Sequence, residues 1–214
     1  MINISVVVKD IIEDDDVALQ SLNTHTLNLS SYARLIQKDV ENRAMKTVEI
    51  KSIIVALSRL AKMQKSIETK FSLKLQNLSV HSNLEELSYE RTIETLARIP
   101  ALLDLLPKNG QTFFTITQGI TEFTIIADKT FIARTKNLFN NIQPFYEITD
   151  LSGITVKFDV AYVRTPKLIY ELSRRLLVKR INIIEIISTT TELTLIIDKK
   201  DTQLAIAQLS KFLT

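Results

Sequence analysis

The chain has 214 residues, 45% of them hydrophobic and 24% charged, and a formal net charge of +3. This length suits one large domain or two to three small ones, and the apolar content suffices for packed cores. The absence of cysteine excludes disulfide bonds and thiolate zinc sites, and the N-terminus lacks the layout of a signal peptide. No window holds the roughly 18 uninterrupted apolar residues of a membrane span, so we expect a cytoplasmic protein without membrane insertion.

Charge is distributed unevenly near the N-terminus. Residues 1–28 carry one lysine and five acidic residues, whereas residues 29–70 carry nine basic and four acidic residues. The acidic run 13–16 lacks the alternating ligands and the turn glycine of a calcium loop, so we interpret it as an acidic turn that starts a helix.

Residues 1–66 are predicted to form a helical domain of the helix-turn-helix type. Ser30 or Ser31 is the expected N-cap of one helix, whose apolar residues are Tyr32, Ala33, Leu35, Ile36 and Val40. Thr47 is the expected cap of the next, whose apolar stripe is Ile50, Ile53, Ile54, Leu57, Leu60 and Ala61.

If the second helix enters a major groove of DNA, the residues predicted to contact bases or phosphates are Arg34, Lys38, Arg43, Lys46, Lys51, Ser52, Arg59 and Lys62. The alternative interpretation is a solvated helix face in a helical dimerisation domain.

An internal repeat occupies the remainder of the chain. Thr121–Lys129 recurs as Thr191–Lys199, with six identities in nine residues at a spacing of 70. In each copy the repeated strand follows another β-rich run and precedes a helical stretch, so each copy is predicted to contain a hairpin and then a helix.

The first module, residues 67–151, is predicted to contain a strand at 71–80, a helix over Tyr89–Leu106 that Pro100 splits or kinks, a strand at 112–117, a second strand within Thr121–Lys129, a helix over Thr130–Phe139 and a closing strand at 145–149. The second, residues 152–214, has a strand at 155–163, a helix over Lys167–Val178, strands at 181–188 and 191–197, and a helix over Thr202–Phe212.

The predicted fold class is therefore α+β: an N-terminal helical domain followed by two ferredoxin-like βαββαβ modules, each with helices on one sheet face. The second module lacks a fourth strand of its own. It must borrow one, share residues 145–149 or remain three-stranded.

Catalytic signals are missing from the sequence. His25 and His81 are isolated, and no glycine-rich phosphate loop or nucleophile–base cluster is present. We therefore expect a non-enzymatic protein without a cofactor or a metal site.

The segment Val163–Ser188 resembles the signature of the ACT domain, with Pro166 and the run Ile181-Asn182-Ile183 in the expected places. Lys167 stands where that family usually has glycine, which is the position where the loop backbone approaches an amino-acid effector. The resemblance implies that the modules pair, giving a homodimer, and that Arg164, Thr165, Pro166, Lys167 and Asn182 bind an effector. Arg164 and Lys167 would hold its carboxylate and Asn182 its ammonium group; the alternative is an exposed basic loop beside a structural asparagine.

Residues 27–37 and 48–60 look like the helix-turn-helix half of archaeal ACT-containing proteins that are predicted to regulate amino-acid metabolism, and the tandem modules resemble the regulatory half of aspartokinases. The resemblance implies control of amino-acid metabolism or of transcription. The alternative is a dimerisation scaffold that binds neither DNA nor a small molecule.

Overall fold

A computed structural model describes residues 3–63, 73–107, 112–165 and 167–213. The chain divides into two compact units, Met1–Phe71 and Ser72–Thr214. Within the part described, no helix is long and apolar enough to cross a membrane.

The first unit consists of helices α1 (Ile4–Glu13), α2 (Asp16–Asn23), α3 (Leu29–Ala44) and α4 (Ile50–Met63). One apolar core joins all four helices, and its fully buried members include Val8, Ala33, Val40, Ile53 and Leu57. The predicted stripe of α4 faces this core, as the i, i+3, i+4, i+7 spacing requires. The acidic turn does begin a helix, because Asp15 Oδ1 accepts from the amide of Ala18 at 2.9 Å.

The helix boundaries of this unit differ from the predicted ones. Asn28, not Ser30 or Ser31, caps α3, since its Oδ1 accepts from the amide of Ser31 at 3.0 Å. Thr47 lies outside α4, which begins at Ile50. Leu35, predicted to be apolar core, is 74% exposed, because α3 packs through Tyr32, Ala33, Ile36 and Val40.

The second unit is built on one six-stranded antiparallel sheet. Its elements are β1 (Leu75–Glu90), α5 (Ile93–Leu96), α6 (Ile99–Asp104), β2 (Phe114–Gln118), β3 (Glu122–Asp128), α7 (Lys129–Phe139), β4 (Tyr146–Phe158), α8 (Lys167–Leu177), β5 (Glu185–Ser188), β6 (Glu192–Asp198) and α9 (Thr202–Leu209). The strand order is β2-β3-β1-β4-β6-β5.

The two long strands β1 and β4 lie side by side at the centre of the sheet. Each half of the sheet uses one end of both strands, because β3 pairs with residues 84–90 of β1 and β6 pairs with residues 151–157 of β4. The fourth strand of the second half is therefore borrowed: residues 75–82 of β1 pair with β4. The predicted boundary between residues 151 and 152 falls inside β4, so the division into two separate modules stays a prediction.

The central pairing has an internal two-fold symmetry. Leu151 follows Leu84 by 67 residues, and these two residues face each other across β1 and β4. Adding 67 to the β1 residue of a pair and subtracting 67 from its β4 partner gives another observed pair. Glu86–Ile148 corresponds in this way to His81–Gly153, and Ser88–Tyr146 corresponds to Ser79–Thr155. The same offset also relates Asn83 (φ 60°) to Asp150 (φ 56°), which occupy the left-handed region at irregularities in the register. The pseudo-two-fold axis therefore passes between Leu84 and Leu151.

One face of the sheet carries the helices. In the first half Leu87 and Tyr89 pack with Phe123, Phe131 and Phe139 in a core with α6 and α7. In the second half, the Oγ1 of Thr202, at the start of α9, donates to Ser152 Oγ at 2.9 Å. On the opposite face Leu84, Ile126, Leu151 and Ile196 form a small cluster around the axis.

The predicted helix over Tyr89–Leu106 is wrong over its first four residues and interrupted in its middle. Tyr89 belongs to β1, where its ring stacks on Phe139 with centroids 4.4 Å apart. Residues 84–90 pair with β3 although the spacing of apolar residues from Tyr89 onward suits a helix. Ile93, which was predicted to lie on the apolar side of that helix, is 92% exposed. The helix divides at residues 97–98 and restarts with Pro100 in its first turn, as a residue without an amide hydrogen favours.

The remaining predicted elements of this unit shift at their ends. The first strand is longer than predicted, ending at Glu90, while its predicted residues 71 and 72 lie outside the described residues. The predicted strands 145–149 and 155–163 are parts of the single strand β4, followed by a short turn at Val160–Tyr162. The run 181–188 is a strand only from Glu185, and the helices over Thr130–Phe139 and Lys167–Val178 are confirmed within one residue.

Candidate functional site

A basic groove lies on the first unit, where the start of α1 meets α4. Four of the predicted DNA-contacting residues line it, namely Lys46, Lys51, Ser52 and Arg59, together with Asn3, Ile4, Ser5, Val55 and Ala56. Its volume is about 520 Å³, and no acidic side chain is among these lining residues. Ser52, Val55 and Arg59 lie on one exposed stripe of α4, opposite the buried Ile53 and Leu57.

The other predicted DNA-contacting residues lie outside this groove. Arg34 and Lys38 are exposed on α3, and Lys62 is exposed near the end of α4. Arg43 lies 3.8 Å from Asp14, so the acidic turn neutralises part of the basic surface within this unit.

The predicted effector residues are divided between the two ends of α8. Arg164 and Lys167 are exposed and Thr165 is half-buried at the N-terminal end, while Pro166 lies outside the described residues. Asn182 lies beyond the C-terminal end of α8, and an 11-residue helix is about 16 Å long. A single copy of the chain therefore does not bring Asn182 together with Arg164 and Lys167.

Thr165 and Asn182 line different cavities. Thr165 borders a cavity of about 220 Å³ between the start of α8 and the β5–β6 turn. Asn182 borders a cleft of about 510 Å³ on the helix-free face of the sheet. We call this second cavity the acidic cleft.

The acidic cleft is lined by three kinds of side chain. Its carboxylates are Glu86, Glu122, Glu185 and Asp198. Its other polar groups are Ser88, Thr124, Tyr146 and Asn182, and its apolar groups are Phe145, Ile148, Ile183 and Ile184. Residues of β1, β3, β4, β5 and β6, together with the segments just before β4 and β5, thus line one cleft.

Glu86 is the most deeply placed carboxylate of the cleft, with only 3% of its surface exposed. Its Oε2 has no hydrogen-bond partner among the described residues, and the nearby Ser88 hydroxyl lowers the pKa of the carboxyl group, opposing part of the effect of burial. Ser88 has one proton, and its Oγ lies 2.9 Å from Thr124 Oγ1, so Thr124 donates to Ser88 when Ser88 donates to Glu86.

Burial raises the pKa of Glu86 from 4.5 to about 7, and the neighbouring charge of Glu185 adds to this effect. The pKa of Glu185 is raised as well, by burial and by Glu122. The charge of Glu185 thus disfavours the ionised form of Glu86, and the charge of Glu122 disfavours that of Glu185.

None of the carboxylates of the acidic cleft was among the predicted site residues. Glu86 lies in a segment that was predicted only as the link between a strand and a helix. The register of the central strands reveals a mismatch at this position: the residue 67 positions after Glu86 is Gly153, although Ser88 corresponds to the similar Thr155 at the same offset.

No protein-family model matches this sequence, and no curated protein matches it. Similar solved structures are found through the fold. A chain of the aspartokinase alpha and beta subunits is 15% identical, with a TM-score of 0.52 over 64% of this chain and 97% of that chain. The regulatory subunit of aspartate kinase from Thermus thermophilus, in a ligand-free form, is 12% identical, with a TM-score of 0.51 over the same shares.

The aspartate kinase of Clostridium acetobutylicum, described as an allosteric enzyme, is 10% identical, with a TM-score of 0.54. That match covers 70% of this chain and 37% of the kinase. The share covered in this chain is close to the share that residues 72–214 make up. The predicted resemblance to ACT-type regulatory domains is thus confirmed for the fold, and this chain contains the fold of aspartokinase regulatory domains.

Proposed function

We propose that this chain is a non-enzymatic regulatory protein whose second unit binds an amino acid. The supporting observation is the fold: the matches extend over 97% of a regulatory subunit of aspartate kinase. Arg164 and Lys167 are exposed at the start of α8, where two cations can hold a carboxylate by charge-assisted hydrogen bonds.

A homodimer is part of this proposal. Asn182 lies at the opposite end of α8 from Arg164 within one copy, so one ligand reaches both only if a second copy contributes one of them. The sheet offers two edges for such pairing, β2 and β5, because edge strands expose unpaired backbone groups. Effector control then requires that the amino acid binds one arrangement of the dimer more tightly than another.

The test is a thermal-shift screen of the full chain against the twenty common amino acids. Binding raises the melting temperature by mass action. Arg164→Gln with Lys167→Gln should remove the shift, while the matched pair Arg134→Gln with Lys157→Gln, two exposed cations elsewhere, should keep it. An amino acid that stabilises both double variants equally would contradict the assignment of the loop.

DNA binding by the first unit is a second candidate, supported by the gathering of Lys46, Lys51 and Arg59 around one groove without an acidic side chain. We expect retention of duplex DNA that weakens steeply with salt, because phosphate contacts release counterions. Lys51→Glu with Arg59→Glu should abolish it, and Arg134→Glu with Lys179→Glu is the charge-matched control. Equal loss in both variants would indicate a nonspecific effect of net charge.

The scaffold alternative makes a different prediction. Light scattering at micromolar concentration would detect a stable dimer, and neither DNA at low salt nor any amino acid would bind. A monomer under these conditions would contradict both the scaffold and the dimeric effector site.

A further inference from the structure

The acidic cleft breaks the internal symmetry of the sheet. The hydroxyl pair Ser88–Thr124, at 2.9 Å, has a symmetry mate in Thr155–Thr194, at 2.7 Å. Glu86, however, corresponds to Gly153, where an added Cβ would lie 3.1 Å from Leu84 Cδ1 and 3.3 Å from Ile196 Cδ1. One half of the sheet is closed by apolar packing at this position, and the other half holds a buried carboxylate.

Packing does not account for Glu86. A carboxylate that is only 3% exposed and has an unpartnered oxygen is costly in its ionised form, since among the described residues no positive charge lines the cleft and no full set of donors replaces its hydration. The free-energy cost of the ionised Glu86 carboxylate is removed either when the carboxylate takes up a proton or when a cation enters the cleft. The second is a binding function.

The side chains that line the cleft indicate which kind of cation it can bind. Among the described residues that line it, four are carboxylates and none is basic. A ligand that carries a carboxylate of its own, such as an amino acid, would meet repulsion without a compensating cation. Isoleucines at positions 148, 183 and 184 offer an apolar surface to a hydrocarbon chain.

A single metal ion fits the cleft less well. In the part of the chain that the structure describes, no group of three histidine, cysteine or acidic side chains is placed to hold a metal ion. Carboxylates that are separated around a cleft of about 510 Å³ suit a ligand whose charges are also separated.

We propose that the acidic cleft binds an aliphatic diamine, whose two ammonium groups pair with the carboxylates of Glu86, Glu122 and Glu185 while its methylene chain lies on the isoleucines. The site does not include Arg164 or Lys167 and shares only Asn182 with the proposed amino-acid site, so it adds a second ligand to the proposed function and does not depend on it.

The proposal includes a dependence on pH. The charge of Glu185, the first residue of β5, acts directly on Glu86, and the other ionisable side chains that line the cleft with it are Glu122 from β3, Asp198 from β6 and Tyr146 from β4. Because burial raises the pKa of Glu86 to about 7, the carboxyl is neutral below that pH and binding weakens there. Aliphatic ammonium groups stay charged throughout this range.

The test uses the full chain, isothermal titration calorimetry at pH 8.0, and 1,4-diaminobutane as the probe. Butylamine, which has one ammonium group, and lysine, which has an added carboxylate, are the comparison ligands at equal ionic strength. We expect the diamine to bind at least tenfold more tightly than either, since a charged hydrogen bond contributes about that much. Binding should weaken about tenfold or more between pH 8.0 and pH 5.5.

Glu86→Gln should lower diamine affinity at least tenfold, whereas Glu94→Gln, an exposed acid on α5, should leave it unchanged. Carboxyl carbon NMR provides a second readout, in which the diamine lowers the pKa of Glu86 in the wild type. Equal binding by both variants, equal binding of butylamine, or an unchanged Glu86 titration would overturn the proposal. A shift caused by an amino acid that survives in Glu86→Gln would leave the loop site intact and separate the two proposals.

Discussion

Replacing Glu86 by glutamine should stabilise the protein at neutral pH. Glutamine has nearly the same shape as glutamate and carries no charge, so it removes the cost of ionising a buried group while keeping the contact with Ser88. The gain should vanish in acid, where glutamate is itself neutral. The difference between the two proteins therefore has a definite dependence on pH.

The magnitude follows from the pKa of Glu86 in the two states, 4.5 in the unfolded chain and about 7 in the folded one. The folded state holds a proton that the unfolded state has lost, so the free energy of unfolding falls as pH rises from 4.5 to 7. At about 1.4 kcal/mol per pH unit, the wild type loses about 3 kcal/mol that Glu86→Gln retains. The raised pKa of Glu185 acts in the same direction, but it is present in both proteins.

The assay is urea unfolding followed by circular dichroism at half-unit steps from pH 4.5 to 8.0, because urea adds no charge. The free energies of the two proteins should agree near pH 4.5 and diverge by about 3 kcal/mol above pH 7. Glu94→Gln should follow the wild type throughout. A constant difference between wild type and Glu86→Gln across this range would refute the electrostatic account of Glu86.

Three further predictions concern the centre of the sheet and are measured by the same urea unfolding. Leu84→Ala should cost about 3 kcal/mol by leaving a cavity beside the axis, whereas Leu177→Ala, on an exposed side chain, should cost little; equal losses would contradict the role of the axis cluster. Gly153→Ala should lower the free energy of unfolding by about 1–3 kcal/mol, because its Cβ would crowd three side chains. An unchanged urea midpoint would show that these side chains move aside without loss of stability. Asp150→Val should cost about 1–2 kcal/mol at a φ of 56° while Asp150→Gly should not, and equal losses would point to the side chain of Asp150 instead of its backbone.

Apolar spacing within single elements and the internal repeat predicted most of the helices and hairpins. The repeat at a spacing of 70 identified β3 with α7 and β6 with α9, and the apolar stripe of α4 identified its buried face. These signals are local, because each depends on residues within one helix or one hairpin.

The central strands were harder to predict, because their stability comes from partners far along the chain. Residues 84–90 were not predicted as a strand, yet they form one by pairing with both β3 and β4. Tyr89 illustrates the conflict: it fits a helical stripe, but burial between Phe123 and Phe139 decides its structure.

The candidate sites show the same contrast. Lys46, Lys51, Ser52 and Arg59 were predicted together and do line one groove, because three of them lie on a single helix. The acidic cleft combines residues of β1, β3, β4, β5 and β6 and has no motif in the sequence. Only the exchange of glutamate for glycine between the two halves marks it, and that comparison needs the register of the strands.

The shared central strands also have a consequence for synthesis of the chain on the ribosome. Once residues 75–139 have emerged, β1 can pair with β3 on one side, but we expect its other edge to stay open, because in the fold that edge is paired with β4. An open edge of this kind is a site for pairing with other chains. The nascent protein is therefore most exposed to misassembly until residues 146–158 are made, and slowing translation just before them should increase aggregation more than slowing it after Phe158.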